Sequence, residues 1–381
     1  RGGGSAAAAD RAQSSGARAP PRGASRTADS RAGPAWQPAR SWSDDEDGAV
    51  AMSAQGTDAV DEAQLAALVD NLRSEDAQQR THAMENLPRI AEALGAERTR
   101  AELVPFIAES TDDDDEVLIV LAEKIGELVD LLGGTDAVHE LLPPLELLAS
   151  VEESSVRDKS VTSATAVFER IPDAELAQHY EPFVRSLAAK DWFTARVSAA
   201  ALCHVCEGRL SEQLMRELME VFKRLCTDDT PMVRRVAVQN LGKVAEALRA
   251  APSLLPAFER LRQDDHDSVR VQAIASLVPL ARQLPDSTSE LLSALEELCL
   301  DRSWRVRWTA AQHFSEAINA LGVGTEAPRL ARLFVGLMQD TEAEVRTSAA
   351  GVMVGVARQV LPGGGAAAQE VVAAAQRLAS D

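Results

Sequence analysis

The stretch Asp228-Asp229-Thr230-Pro231-Met232-Val233-Arg234-Arg235 decides the fold, because its acidic pair followed by Val-Arg returns along the chain at a steady interval. Val-Arg recurs at Val156-Arg157, Val269-Arg270, Val306-Arg307 and Val345-Arg346. Weaker forms stand at Arg80, at Val117-Leu118, where leucine replaces the arginine, and at Arg196. With 80, 118, 157, 196, 234, 270, 307 and 346 as anchors, the intervals are 38, 39, 39, 38, 36, 37 and 39 residues. A period of that length marks a repeat architecture in which each unit stacks on its neighbours.

Behind the anchors, apolar residues fall three, seven and eleven positions on, as in Ala83, Leu87, Ala91; Leu121, Ile125, Val129; Ala237, Leu241, Ala245; and Ala310, Phe314, Ile318. That spacing lies on one face of a helix. Alanine at the first position lets a neighbouring helix come close. Ahead of four anchors a proline (Pro105, Pro143, Pro182, Pro256) starts or bends a preceding helix. Each unit therefore reads as a helical hairpin with an acidic turn, whose carboxylates complement the dipole of the second helix. The expected fold is an all-α, right-handed α-solenoid of eight hairpins plus one terminal helix over Ala366 to Ala379. The repeats run at about 58–96, 97–134, 135–173, 174–212, 213–250, 251–287, 288–323 and 324–363, with a partial unit at 364–381.

Residues 1–57 read differently. No Leu, Ile or Phe occurs before Leu65, so an Ala/Arg/Gly/Ser-rich leader of this kind cannot bury enough apolar surface to offset its ordering entropy and is expected to be disordered. It lacks the amphipathic face of a transit peptide, and Met52, where the composition turns, is the expected start.

Composition narrows the function. Fifty-nine acidic against 39 basic residues leave a net charge of -20, which repels phosphate backbones and anionic lipid heads. Nucleic acid and membrane are therefore not expected partners, and basic patches on proteins are. Cys203, Cys206, Cys226 and Cys299 are too few and too uneven for a secreted disulfide framework, which points to a reducing compartment. The cytoplasm is the expected location, with the nucleus as a second.

Period, hairpin and acidic-x-Val-Arg signature together resemble the HEAT repeat. More narrowly, Leu141-Leu142-Pro143-Pro144-Leu145-Glu146, Val156-Arg157-Asp158-Lys159, Asp191-Trp192-Phe193-Thr194, the Asp228 to Arg235 stretch and Ser303-Trp304-Arg305-Val306-Arg307 resemble the scaffold (A-type) subunit family of protein phosphatase 2A. The resemblance covers about residues 60–362. It implies a non-catalytic scaffold that binds regulatory B-type subunits through the turns of its hairpins. In full-length form it would bind the phosphatase catalytic subunit through later repeats, of the fifteen in the family.

No cofactor, metal site or catalytic constellation is expected. Cys203-His204-Val205-Cys206 lacks a second thiol pair and puts Cys203 at a core position. The carboxylates Asp112 to Glu116 lack the spaced ligands and glycine of a calcium loop. His139-Glu140 is a single pair where a di-iron HEAT hydroxylase would need several. The candidate binding residues are instead large or special side chains in the turns. Trp192, Phe193 and Trp304 stand where repeat packing does not ask for an exposed aromatic, and tryptophan and arginine are enriched at binding hot spots. The alternative for both indoles is inter-repeat filling. Thr230-Pro231 also reads as a helix N-cap and first-turn proline. The resemblance places Asp229, Thr230, Pro231, Met232 and Arg235 on the regulatory-subunit ridge, and Asp115, Glu116, Glu152, Glu153 and Arg305 complete the protein-binding set. Arg157, Arg234, Arg270, Arg307 and Arg346 are expected to pair with acids of the neighbouring turn. The rival reading within the same fold is a nuclear-transport receptor or other protein-binding solenoid, which would lack these turn segments.

Overall fold

The alternation of helix and acidic turn is realised throughout the computed structural model, which describes residues 62–322, 324–360 and 366–378, all within one unit, Ala59–Asp381. The expected leader, the start at Met52 and the last residues, Ala379 to Asp381, lie outside the described residues.

First helices of the hairpins are α1 (Glu62–Asn71), α4 (Val104–Glu109), α6 (Leu142–Leu148), α8 (Asp173–Ala189), α10 (Glu212–Leu225), α12 (Ala251–Leu261), α14 (Thr288–Cys299) and α16 (Ala327–Met338). Second helices are α2 (Ala77–Glu85) with its continuation α3 (Leu87–Arg98), then α5 (Asp115–Glu127), α7 (Ser154–Arg170), α9 (Phe193–Leu202), α11 (Pro231–Ala247), α13 (Asp267–Gln283), α15 (Trp304–Leu321) and α17 (Ala343–Val360). The terminal helix α18 (Ala366–Leu378) packs on α16. Second helices stack in series, α5 on α7, α9 on α11, α11 on α13, α13 on α15 and α15 on α17. First helices form the other layer, so the described residues make a two-layer, all-α solenoid.

The predicted stripes form the core between the layers. Leu87, Leu121, Ile125, Leu241, Leu277, Phe314 and Ile318 are all fully buried. Close stacking has one visible extreme at Gly242 of α11, where an added Cβ would meet Pro279 Cγ of α13 at 2.3 Å. Helix α9 departs from the pattern. It stops at Leu202, just before the buried core residue Cys203, and the chain then turns through Cys206 (φ 67°) and Gly208 (φ 77°). The buried Tyr180 hydroxyl donates at 2.6 Å to the Leu202 carbonyl, which also accepts from Val205 N at 3.1 Å, so this helix-end acceptor is doubly satisfied. Cys203 is a packing residue, and all four cysteines are free, buried thiols.

Candidate protein-docking ridge

Each of five anchor arginines, Arg80, Arg196, Arg234, Arg270 and Arg307, does two jobs at once, and this repeated geometry shapes the ridge of turns. Its Nη1 donates backward to carbonyls of its own turn, while Nε and Nη2 reach forward to a carboxylate in the next. Arg234 donates to the Asp228 and Asp229 carbonyls (2.7 and 3.1 Å) and grips Asp264 at 2.6 and 3.0 Å. Arg270 holds the Asp264 carbonyl at 2.8 Å and grips Asp301 with two bonds of 2.8 Å. Arg307 holds the Asp301 carbonyl and grips Asp340 at 2.7 and 2.9 Å. Arg196 to Asp228 and Arg80 to Asp113 follow the same plan. Such forked, charge-assisted pairs fix orientation as well as distance.

The gripped aspartates also organise their own turns. Oδ1 of Asp228, Asp264, Asp301 and Asp340 accepts the backbone N–H two residues on, at 2.9, 3.0, 2.7 and 2.9 Å. Burial on its own would raise the carboxyls of Asp264 and Asp301, but hydrogen bonds from Arg234 or Arg270 and from the turn N–H outweigh it and hold both below the usual range. Asp340 is lowered chiefly by its bond from Arg307. The corresponding arginines 80, 196, 234, 270 and 307 are raised, first by the bond to the aspartate, against the opposing effect of burial.

The expected arginine ladder therefore exists, with three changes of membership. Arg80 and Arg196, weak anchors in sequence, are full members, whereas Arg157 grips no acid. Arg346 donates to the Asp340 and Thr341 carbonyls of its own turn. The missed signal was an aspartate six residues before the anchor, present at 228, 264, 301 and 340.

Each acidic pair is thus sorted into an inner and an outer residue. Asp228 and Asp264 face the ladder, leaving Asp229 and Asp265 exposed. Of the predicted set, Asp115, Glu116, Glu152, Asp229, Met232, Arg235 and Arg305 are exposed, with Met232 46% accessible. Glu153 spends its carboxylate capping α7, accepting from Ser155 N at 3.1 Å. Pro231 occupies the first turn of α11 as expected. Thr230 sits at the N-cap, but its side chain makes no capping bond and instead accepts from Arg196 Nη2 at 3.4 Å.

The aromatics are less exposed than expected. Phe193 and Trp304 are half-buried and pack on the core, and the Arg305 guanidinium lies 5.0 Å from the Trp304 ring centroid. Trp192 is half-buried with its ring 6.2 Å from Phe193, and its indole N–H is buried with no acceptor. Both readings of Trp304 thus share one residue, since its inner part fills the repeat and its outer part borders the ridge. Sequence reading missed Leu300, 67% exposed at the end of α14, and Trp308, 38% exposed on α15. Neither interrupts the periodic pattern, so periodicity alone does not reveal them.

Away from the turns, His139 stacks on His179 with centroids 4.6 Å apart. Among the described residues no group of three His, Cys, Asp or Glu side chains is arranged to hold a metal ion, and no helix is long and apolar enough to cross a membrane.

Comparison with known proteins places this geometry. The HEAT repeat family model matches residues 218–248, which span the end of α10, its acidic turn and α11. The chain is 40% identical over 266 residues to the A-type regulatory subunit of protein phosphatase PP2A from Schizosaccharomyces pombe, covering 68% of this chain and 45% of that protein. It is 48% identical over 184 residues to the beta isoform of the human 65 kDa A-type regulatory subunit of serine/threonine-protein phosphatase 2A, covering 48% and 31%. To the alpha isoform of the same 65 kDa protein from Arabidopsis thaliana it is 44% identical over 186 residues, covering 49% and 32%. The chain thus spans less than half the length of these relatives. Among solved structures it is similar to Kap95p in its complex with RanGDP (TM-score 0.67, 12% identity, 84% of this chain and 45% of that one). It is also similar to Kap121p bound to Pho4p (TM-score 0.64, 14% identity, covering 84% and 35%). At such identities the likeness is one of fold.

Proposed function

The chain is a HEAT-repeat homologue of the A-type regulatory subunits of protein phosphatase 2A, and from that kinship we propose that it is a non-catalytic scaffold whose turn ridge docks a regulatory B-type subunit. The observation that carries the reading is the 40–48% identity to curated A-type subunits. That kinship gives the nuclear-transport alternative no comparable support, because the karyopherin likeness is confined to fold. In this reading the ladder fixes the spacing of successive turns, while the outward residues Asp229, Met232, Arg235 and Arg305 meet the partner. Exposed acids attract basic patches and set the encounter rate, and the half-buried aromatics bordering them supply apolar anchoring. In a longer, full-length form a second partner, the phosphatase catalytic subunit, would be held by later repeats. The assembly works in the cytoplasm, with the nucleus as a second location, and four free thiols support a reducing compartment.

The test is the affinity of a purified B-type subunit for the chain and its variants. Met232→Ala and Arg235→Ala, both changes of exposed side chains, should each weaken binding about tenfold or more, a loss of about 1.4 kcal/mol, with unchanged melting. Leu241→Ala should instead destabilise by about 2 to 5 kcal/mol through a core cavity. Normal binding by both ridge variants would remove the ridge from the interface.

A further inference from the structure

At one junction of the ladder the arginine is present but its acid is missing, which leaves donors without an acceptor. At the position six residues before the fourth anchor, where units five to eight carry aspartate, the chain has Lys190. Arg157 of the third unit therefore reaches forward to no acid. Its Nη1 still donates to the Val151 and Glu152 carbonyls of its own turn, at 2.9 and 2.6 Å. Its Nε is buried with no acceptor, and Nη2 has none among the described residues. The residue is only 9% exposed. Elsewhere on the ladder these two nitrogens are the ones that grip the aspartate.

The position four before the anchor matters as well. At two other junctions it supplies a further acceptor to Nη2 of the preceding arginine, namely Asp114 for Arg80 at 2.9 Å and Thr230 for Arg196 at 3.4 Å. At this junction that position is Trp192, whose indole N–H is itself buried and unsatisfied. Lys190 turns away to Glu146, 3.2 Å distant. Of the acids near Arg157, Glu153 is committed to capping α7 and Asp158 is exposed, and neither forms a hydrogen bond with the guanidinium. A guanidinium edge and an indole N–H thus stand where the repeat pattern elsewhere brings acceptors. A buried charge lacking its partner is destabilising, and departures of this kind from a consistent pattern concentrate at functional sites.

We propose that the Arg157–Trp192 junction is a receptor slot for a carboxylate, filled by an aspartate or glutamate side chain of the protein docked on the ridge, which supplies the acid missing from the ladder. The occupant follows from charge and geometry. The Nε/Nη2 edge of arginine matches a carboxylate bidentately, and the site offers donors only. The identity of the donor protein rests on the docking function proposed above, whereas the slot itself rests on the broken ladder.

Two measurements separate these claims. The first follows the Arg157 side-chain Nε–H resonance by NMR while acetate is added against chloride at equal ionic strength. The wild-type resonance should move downfield and saturate with acetate alone. In Lys190→Asp, which supplies an internal acid at the ladder position, it should start downfield and stay there. No response in the wild type would overturn the slot. The second compares binding of a purified B-type subunit. Lys190→Asp should raise the melting temperature and weaken binding about thirtyfold by occupying the slot. Lys190→Ala, which removes the same contact with Glu146 without adding an acid, should bind as wild type. If Lys190→Asp binds normally, the partner does not use the slot and the assignment of its occupant is wrong. If the wild-type chain binds no B-type subunit, the docking function fails, and the acetate titration still decides the slot.

Discussion

Replacing Asp301 by asparagine removes one rung of the ladder with almost no change in volume. The carboxylate accepts from Arg270 Nε and Nη2, both at 2.8 Å, and from Ser303 N at 2.7 Å, and the side chains of Asp301 and Arg270 are only 11% and 5% exposed. Asparagine keeps one acceptor oxygen but turns an amide N–H₂ toward the guanidinium and leaves its charge unpaired. Removing one partner of a buried pair costs about 3 to 5 kcal/mol. Because Arg270 keeps its Nη1 bonds to the Asp264 and Asp265 carbonyls, the lower end, about 3 kcal/mol, is expected. In a solenoid whose repeats touch only neighbours, that loss appears as local opening between α13 and α15. Hydrogen exchange should therefore accelerate about a hundredfold in those two helices, while α5 and α7 keep wild-type rates. Asp265→Asn provides the contrast, since the neighbouring exposed acid should change stability by under about 0.5 kcal/mol. Wild-type protection in Asp301→Asn, or equal effects from the two variants, would refute the division of the acids into inner and outer residues.

The lowered carboxyls of Asp264, Asp301 and Asp340 also predict an acid limb. A group whose native pKa lies below its unfolded value contributes stability that is fully present above that value, here 3.8, and lost as pH falls through the native one. Denaturant midpoints should stay level from neutrality to about pH 5 and drop steeply below about pH 4, with a shallower drop in Asp301→Asn. The thiols give an independent readout of packing. Burial pushes Cys206 and Cys226 up to about 12 and raises Cys203 and Cys299 as well, so maleimide labelling at pH 8 should be slow in the native protein and reach all four cysteines only after unfolding.

The helical hairpins were legible in the sequence because helix periodicity is local. Residues three, seven and eleven beyond Arg234 or Arg307 share a face whatever packs against it. Which member of Asp228-Asp229 points inward is another matter, because it depends on the neighbouring repeat presenting an arginine from 32 residues earlier. The same holds for Trp304, whose half-burial arises from packing between elements, and for Thr230, whose hydroxyl turns from the expected cap to Arg196. The early end of α9 had a faint signal in Gly208, but the left-handed turn at Cys206 is a conformation that non-glycine residues seldom adopt and nothing in its identity announces. The gap at Arg157 was visible as Lys190, yet it became meaningful only once the other arginines were seen gripping aspartates.

The central claim, that the turns carry the partner, is tested most directly by hydrogen exchange of the chain with and without a purified B-type regulatory subunit. Binding should slow exchange at the intra-repeat turns around residues 190–193, 227–232 and 300–305, and leave the connections at the opposite ends of the hairpins, 171–173, 208–211 and 248–251, at their free rates. Protection confined to those opposite connections, or none at a B-type concentration that saturates the A-type relatives, would contradict it.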